Sequence, residues 1–135
     1  TYIFKGTVYV RNGGDYVNKM LELAGGTYPF AELEPDQGGN TKMTVEEFYQ
    51  GAVDADILIY DNTSDVSVST VADILANGDY LGDMKAIQEG NVWGIQKNYW
   101  QSADDVATMI EDLATIIYHP ENADQLHYFY KLPAE

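Results

Sequence analysis

The sequence predicts an α/β fold, a three-layer αβα sandwich built on a mostly parallel central sheet. Two observations carry that expectation. The runs Ile57–Tyr60 and Val92–Ile95 are apolar without alternation, the composition of strands covered on both faces. Segments with helical periodicity separate the strands, which implies right-handed β-α-β crossovers with helices on both sides of the sheet. At 135 residues and 15.1 kDa the chain suits a single domain, residues 1–135, and is too short for two ordinary ones.

Each element has its own signal. TVYVRNGG reads as a strand through Val8–Val10 followed by a loop at Asn12–Gly14. A helix follows, with Tyr16, Val17, Met20, Leu21 and Ala24 on one face and Gly25 as its stop. The stretch to Thr41 is rich in glycine, proline and acids, with a short strand expected near Phe30–Leu33. Thr44 and Glu47 have capping-box spacing, so a helix is expected from Thr44. After the strand in DILIYD, VSTVADILANG predicts a helix ending at Gly78, and LGDMKAIQEG a short one ending at Gly90. VWGI is the next buried strand. Ser102 is expected to cap the last long helix, whose apolar positions Val106, Ala107, Ile110, Leu113, Ala114 and Ile117 run to His119-Pro120. The aromatic tail, with Tyr128, Phe129 and Tyr130, should pack back on the body.

Composition narrows the function. With 22 acidic and 7 basic residues the formal charge is −15, which argues against nucleic acid or an anionic membrane surface as partner and favours a basic one. There is no run approaching the length of a membrane span, and TYIFKG lacks the regions of a signal peptide. Without cysteine there is no disulfide, no thiolate catalysis and no cysteine-ligated zinc.

In this architecture ligands sit beyond the carboxyl ends of the strands. Those ends carry Arg11 with Asn12, Asp61 with Asn62, and Lys97, Tyr99 and Trp100. Such a set grips a large, flat or anionic ligand through stacking, cation–π contact and charged hydrogen bonds. It offers no catalytic residue: no serine stands beside a base, and His119 and His127 fall at the end of the last helix and in the tail. RNGGDY is wrongly spaced for a dinucleotide loop, and no phosphate-binding GxxxxGK[ST] occurs. Asp54-Asp56 and Asp104-Asp105 are not read as a metal site, because the second pair belongs at a helix start, where negative charge is favoured. Plainer roles compete: Trp100 covering the core edge, Lys97 solvated, Arg11 paired with Asp15, and His119 at its helix's carboxyl end.

Four stretches taken in order resemble one lobe of the substrate-binding proteins of ABC importers, in the class that carries ferric siderophores, haem and cobalamin. They are MLELAGG (Met20–Gly26), TVEEFYQGAVDADILIY (Thr44–Tyr60), LGDMKAIQEGNVWGI (Leu81–Ile95) and IEDLATIIYHPE (Ile110–Glu121). Thr44, Phe48 and Ala55 stand where the family has serine, leucine and proline. The resemblance implies a Rossmann-like carboxyl-terminal lobe, with an amino-terminal lobe and a bridging helix expected before Thr1. It also implies a solute-binding protein without enzymatic activity and with no bound cofactor or metal. Such a protein is a monomer acting outside the cytoplasm, in the periplasm or as a surface lipoprotein, with its export signal outside this chain. Its ligand would be an iron chelate, foremost a ferric siderophore, with haem and cobalamin as alternatives. Arg11, Asn62, Lys97, Tyr99 and Trp100 would be ligand-binding, and Tyr99 or Tyr9 would hold haem iron. Glu46, with Glu47 adjacent, would dock on arginines of the permease. The alternative from another class is a flavodoxin-like cofactor-binding or enzyme domain.

Overall fold

The computed structural model describes residues 1–102 and 104–135. Among them the chain is a mixed α/β protein with two three-stranded sheets. β1 (Tyr2–Phe4) and β2 (Thr7–Arg11) form a hairpin whose turn residues, Lys5 and Gly6, have φ of 50° and 78°, the left-handed geometry that matches strand twist. α1 (Tyr16–Leu23) follows, and β3 (Asn40–Thr44) then returns to pair with β2, in a register running from Arg11 opposite Asn40 to Thr7 opposite Thr44. α2 (Val45–Ala52) leads into β4 (Leu58–Tyr60). α3 (Val71–Leu75) and α4 (Lys85–Gln88), separated by a 3₁₀ turn at Asp79–Asp83, connect β4 to β5 (Val92–Ile95). α5 (Val106–Tyr118), a second 3₁₀ turn at Pro120–Gln125 and β6 (Phe129–Lys131) complete the chain.

The second sheet has the order β4-β5-β6 and is covered on both faces, as its side chains show. Leu58, Tyr60 and Val92 point to one core, which also holds Val8, Val10, Phe48, Ile74 and Met84. Trp93, Ile95 and Phe129, with Ile57 and Ile59, point to the other, against Met20 of α1 and Met109, Leu113 and Ile116 of α5. A strand alternates its side chains between faces, so continuous apolarity is what two-sided burial requires. All four residues of β5 are buried.

Several expectations are corrected. Among the described residues only the β4–β5 pairing is parallel, while β1–β2, β2–β3 and β5–β6 are antiparallel; the mixed α/β class holds, and a mostly parallel central sheet is not confirmed. The two-residue turn at Lys5-Gly6 leaves no room for a crossover, which dictates antiparallel pairing there. Phe30–Leu33 is a turn rather than a strand: its backbone closes locally, with Leu33 N–H donating to Phe30 O at 2.9 Å, and Leu33 O accepts from Gly13 N–H at 2.6 Å. Ser102 does not cap α5. Asp105 holds the N-cap position, while Ser102 Oγ donates back to Asn98 O at 2.8 Å. At α2 the Thr44 side chain accepts from Glu47 N–H at 3.1 Å, but the reciprocal half of the box is not formed. The complete capping box lies at α3, between Thr70 and Asp73.

Candidate ligand-binding site

Topology brings the strand ends together. β1 runs antiparallel to β2 and starts beside the end of β4, where Asp61 N–H donates to Thr1 O at 2.7 Å. β4 is parallel to β5. The carboxyl ends of β2, β4 and β5 therefore share one rim, which carries Arg11, Asp61 with Asn62, and the Lys97–Trp100 turn.

A chain of contacts crosses this rim. The buried Asp61 carboxylate accepts from Thr63 N–H at 3.1 Å and from Ser64 Oγ at 2.8 Å, folding the loop after β4 into an Asx turn. That turn presents Thr63 Oγ1, which accepts from Trp100 Nε1–H at 2.7 Å. The Arg11 guanidinium lies 4.9 Å from the centre of the Trp100 ring, within cation–π range. Arg11 Nη1 is also 3.6 Å from Asp15 Oδ2, the pairing that would make it merely structural. Asp15 is itself committed: Oδ1 caps α1 by accepting from Val17 N–H at 3.0 Å, and Oδ2 accepts from Gly39 N–H at 2.7 Å. Gly13, between Arg11 and Asp15, admits no side chain, because a Cβ there would lie 1.9 Å from Ala31 O.

Arg11 and Trp100 thus meet, both half-buried, one as a charge and one as a stacking surface. The other expected residues are placed differently. Tyr99 is only 1% exposed and packs edge-on beneath Trp100, ring centres 4.6 Å apart. Burial pushes its hydroxyl pKa up, with the nearby Tyr16 phenol as a lesser cause. Asn62 adjoins the rim, but its amide is spoken for at both ends, Oδ1 accepting from Ile95 N–H at 3.0 Å and Nδ2 donating to Tyr130 Oη. Lys97 is exposed in the turn after β5. Tyr9, considered for haem iron, is stacked on Tyr2 at 4.7 Å and does not belong to the rim. Glu46 and Glu47 are exposed in the first turn of α2, just past Thr44, and Thr44 pairs with Thr7 at the opposite end of β2 from Arg11.

Behind the rim lies a cavity of about 580 Å³ whose walls include Arg11, Tyr99 and Trp100 but not Asn62 or Lys97. Thr63 and Asn18 are the residues that sequence reasoning overlooked here. The run Asp61-Asn62-Thr63-Ser64 carries the Asx-turn signal for the first. The second is an asparagine on the apolar side of a helix, next to Val17, where a polar group needs a reason.

Among the described residues no helix is long and apolar enough to cross a membrane, and no three His, Asp or Glu side chains group as metal ligands. In comparison with known proteins, no family model matches the chain, and no curated protein or solved structure is significantly similar to it.

Proposed function

We propose that the chain is the carboxyl-terminal lobe of an extracytoplasmic solute-binding protein, which captures an iron complex and delivers it to an ABC permease. The ligand in this reading is a ferric siderophore, with haem or cobalamin as alternatives within the same class. No reaction is catalysed; binding energy goes into selection and presentation. The observation that carries the reading is the Arg11 guanidinium stacked on Trp100 at a rim shared by three strand ends. A cation on an indole face suits an anionic, aromatic-rich chelate, since charge and stacking are offered at one place. The ordered resemblance along the chain supports it too. The reading carries with it a three-layer arrangement in which the two small sheets act as one, and the Thr1–Asp61 hydrogen bond, which joins their edges, supports that.

Capture would occur against a second lobe facing this rim, with Trp100 and Arg11 supplying contacts from this side. Tyr99 acts from beneath by holding the indole upright, and Asn62 by fixing the β4 and β5 ends. Glu46 lies away from the rim, so docking on a basic permease entrance leaves the ligand side open.

The test is a fluorescence-quenching titration of the full-length gene product with a ferric siderophore panel, haem and cobalamin. Trp100→Ala and Arg11→Ala are each expected to weaken binding about tenfold or more, with thermal unfolding little changed. Unaltered titrations for both variants, or no binding of any of the three ligand classes, would overturn the reading.

A further inference from the structure

The cavity behind the rim takes its wall from both hydrophobic cores, Val10, Phe48 and Leu58 from one and Leu113, Ile116 and Phe129 from the other. At about 580 Å³ it falls within the range of pockets that enclose small organic ligands. Val17 and Leu21 of α1, Ile59 of β4 and Ile116 of α5 contribute apolar wall. A gap of this size leaves those side chains without dispersion partners on one side.

Two residues of the same lining, Asn18 and Tyr99, decide the chemistry. Asn18 Oδ1 and Tyr99 Oη are the buried side-chain polar atoms that have no hydrogen-bond partner among the described residues. Asn18 is 3% exposed and Tyr99 1%. The Asn18 amide is held in orientation, because Nδ2 donates to Gly13 O at 2.7 Å, which leaves Oδ1 as a fixed acceptor. The Tyr16 phenol acts on Tyr99 electrostatically, yet Tyr99 Oη meets no partner at hydrogen-bond geometry. A buried polar atom without a partner forfeits the hydrogen bond it made to water, so each of these two is a place where a bound molecule gains affinity.

We infer that the cavity is a second binding chamber, lying behind the iron-complex rim and sharing Arg11 and Trp100 with it as wall, for a small and largely apolar molecule bearing hydroxyl groups. A ligand hydroxyl donates to Asn18 Oδ1, and a ligand oxygen accepts from the Tyr99 hydroxyl. The hydrocarbon body fills the space among Val17, Leu21, Ile59 and Ile116. No iron and no charge is required, so the inference goes beyond the proposed function and does not depend on it.

The experiment uses the 135-residue chain, isotope-labelled for amide chemical-shift mapping, with benzyl alcohol and toluene as probes. The two differ by one hydroxyl. Benzyl alcohol is expected to give saturable shifts centred on α1, Tyr99 and Ile116, with affinity about tenfold or more above that of toluene. Tyr99→Phe and Asn18→Leu are each expected to narrow that preference several-fold. Tyr99→Phe keeps the ring and its packing, so it remains informative if Asn18→Leu does not fold. The inference is overturned by an absence of saturable shifts at the chamber with both probes, by equal affinities for the two, or by a preference that persists undiminished in Tyr99→Phe. The last two outcomes would mean that water, not a ligand, satisfies the polar pair. Because neither probe resembles an iron chelate, failure here leaves the rim reading to its own titration.

Discussion

Asp112 sits on the buried side of α5, where an acid interrupts an otherwise apolar face, and its carboxylate explains itself by what it receives. His127 and Tyr128 N–H groups both donate to Oδ2, at 2.9 and 2.7 Å, which ties the chain entering β6 to the helix. Asp112→Ala would leave both donors without their acceptor in a largely dry place. A loss of about 2–4 kcal/mol is expected in urea unfolding, with Asp112→Asn losing less because it keeps one acceptor oxygen. Equal stability of the alanine variant and the parent would show that the bonds are replaced by solvent. Asn62 is a comparable case at the rim: both ends of its amide are used inside the protein, so its contribution to a site is positional.

Helix starts show how an element chooses among local signals. Thr70 and Asp73 form both bonds of a capping box at α3, with Asp73 Oδ2 accepting from Ser69 and Thr70 N–H groups at 2.9 and 3.0 Å. Ser102 has the right chemistry for a cap but lies too early in the chain, and Asp105 takes the N-cap position of α5. Thr70→Ala is therefore expected to cost about 1 kcal/mol, and Ser102→Ala less than about 0.5 kcal/mol, by chemical denaturation. A reversed ranking would contradict the observed caps. The same box makes a pH prediction. The Ser69 N–H bond, with those from Thr70, holds the Asp73 carboxyl below the ordinary aspartate range. A depressed folded-state pKa adds stability above the unfolded value and loses it as pH falls through the folded one. Asp73→Asn should accordingly show a flatter decline in stability than the parent between about pH 5 and pH 2. Parallel curves for the two proteins over that range would refute it.

For the whole molecule, the two cores, one on each face of the β4-β5-β6 sheet, set where binding is possible. α1 and α5 close one side, α2 and α3 the other, and the shared carboxyl rim leaves Arg11 and Trp100 accessible between them. Glu46 belongs to a different part of the surface, beyond the far end of the β2–β3 ladder. Under the proposed transport reading, charge reversal by Glu46→Lys should lower ligand uptake by cells several-fold while leaving ligand affinity in solution unchanged, as expected when orientation on a basic partner is lost. A matching fall in affinity would place Glu46 in the binding site instead, and unimpaired uptake would remove its docking role. The excess of acids over bases fits such a partner, though it gives no fold information.

Much of the framework was legible before any coordinates. Periodicity placed α1 and α5, the Thr44 spacing marked the start of α2, and unbroken apolarity identified β4 and β5 as doubly covered, because each of these signals resides in adjacent residues. The location of Arg11 at the end of a strand and of Trp100 beyond one followed from the same local reading. Tertiary structure decided the rest. Strand direction depends on which distant segment supplies hydrogen bonds, so β3 and β6 pairing could not be read from either strand alone. Burial separates Tyr99 from Trp100, its neighbour in sequence, by turning one ring inward and leaving the other at the rim. The chamber, with two unpartnered atoms on residues of its wall, exists only where α1, α2, β4, α5 and the rim come together, since a void is a property of the surfaces around it and of no single stretch of chain.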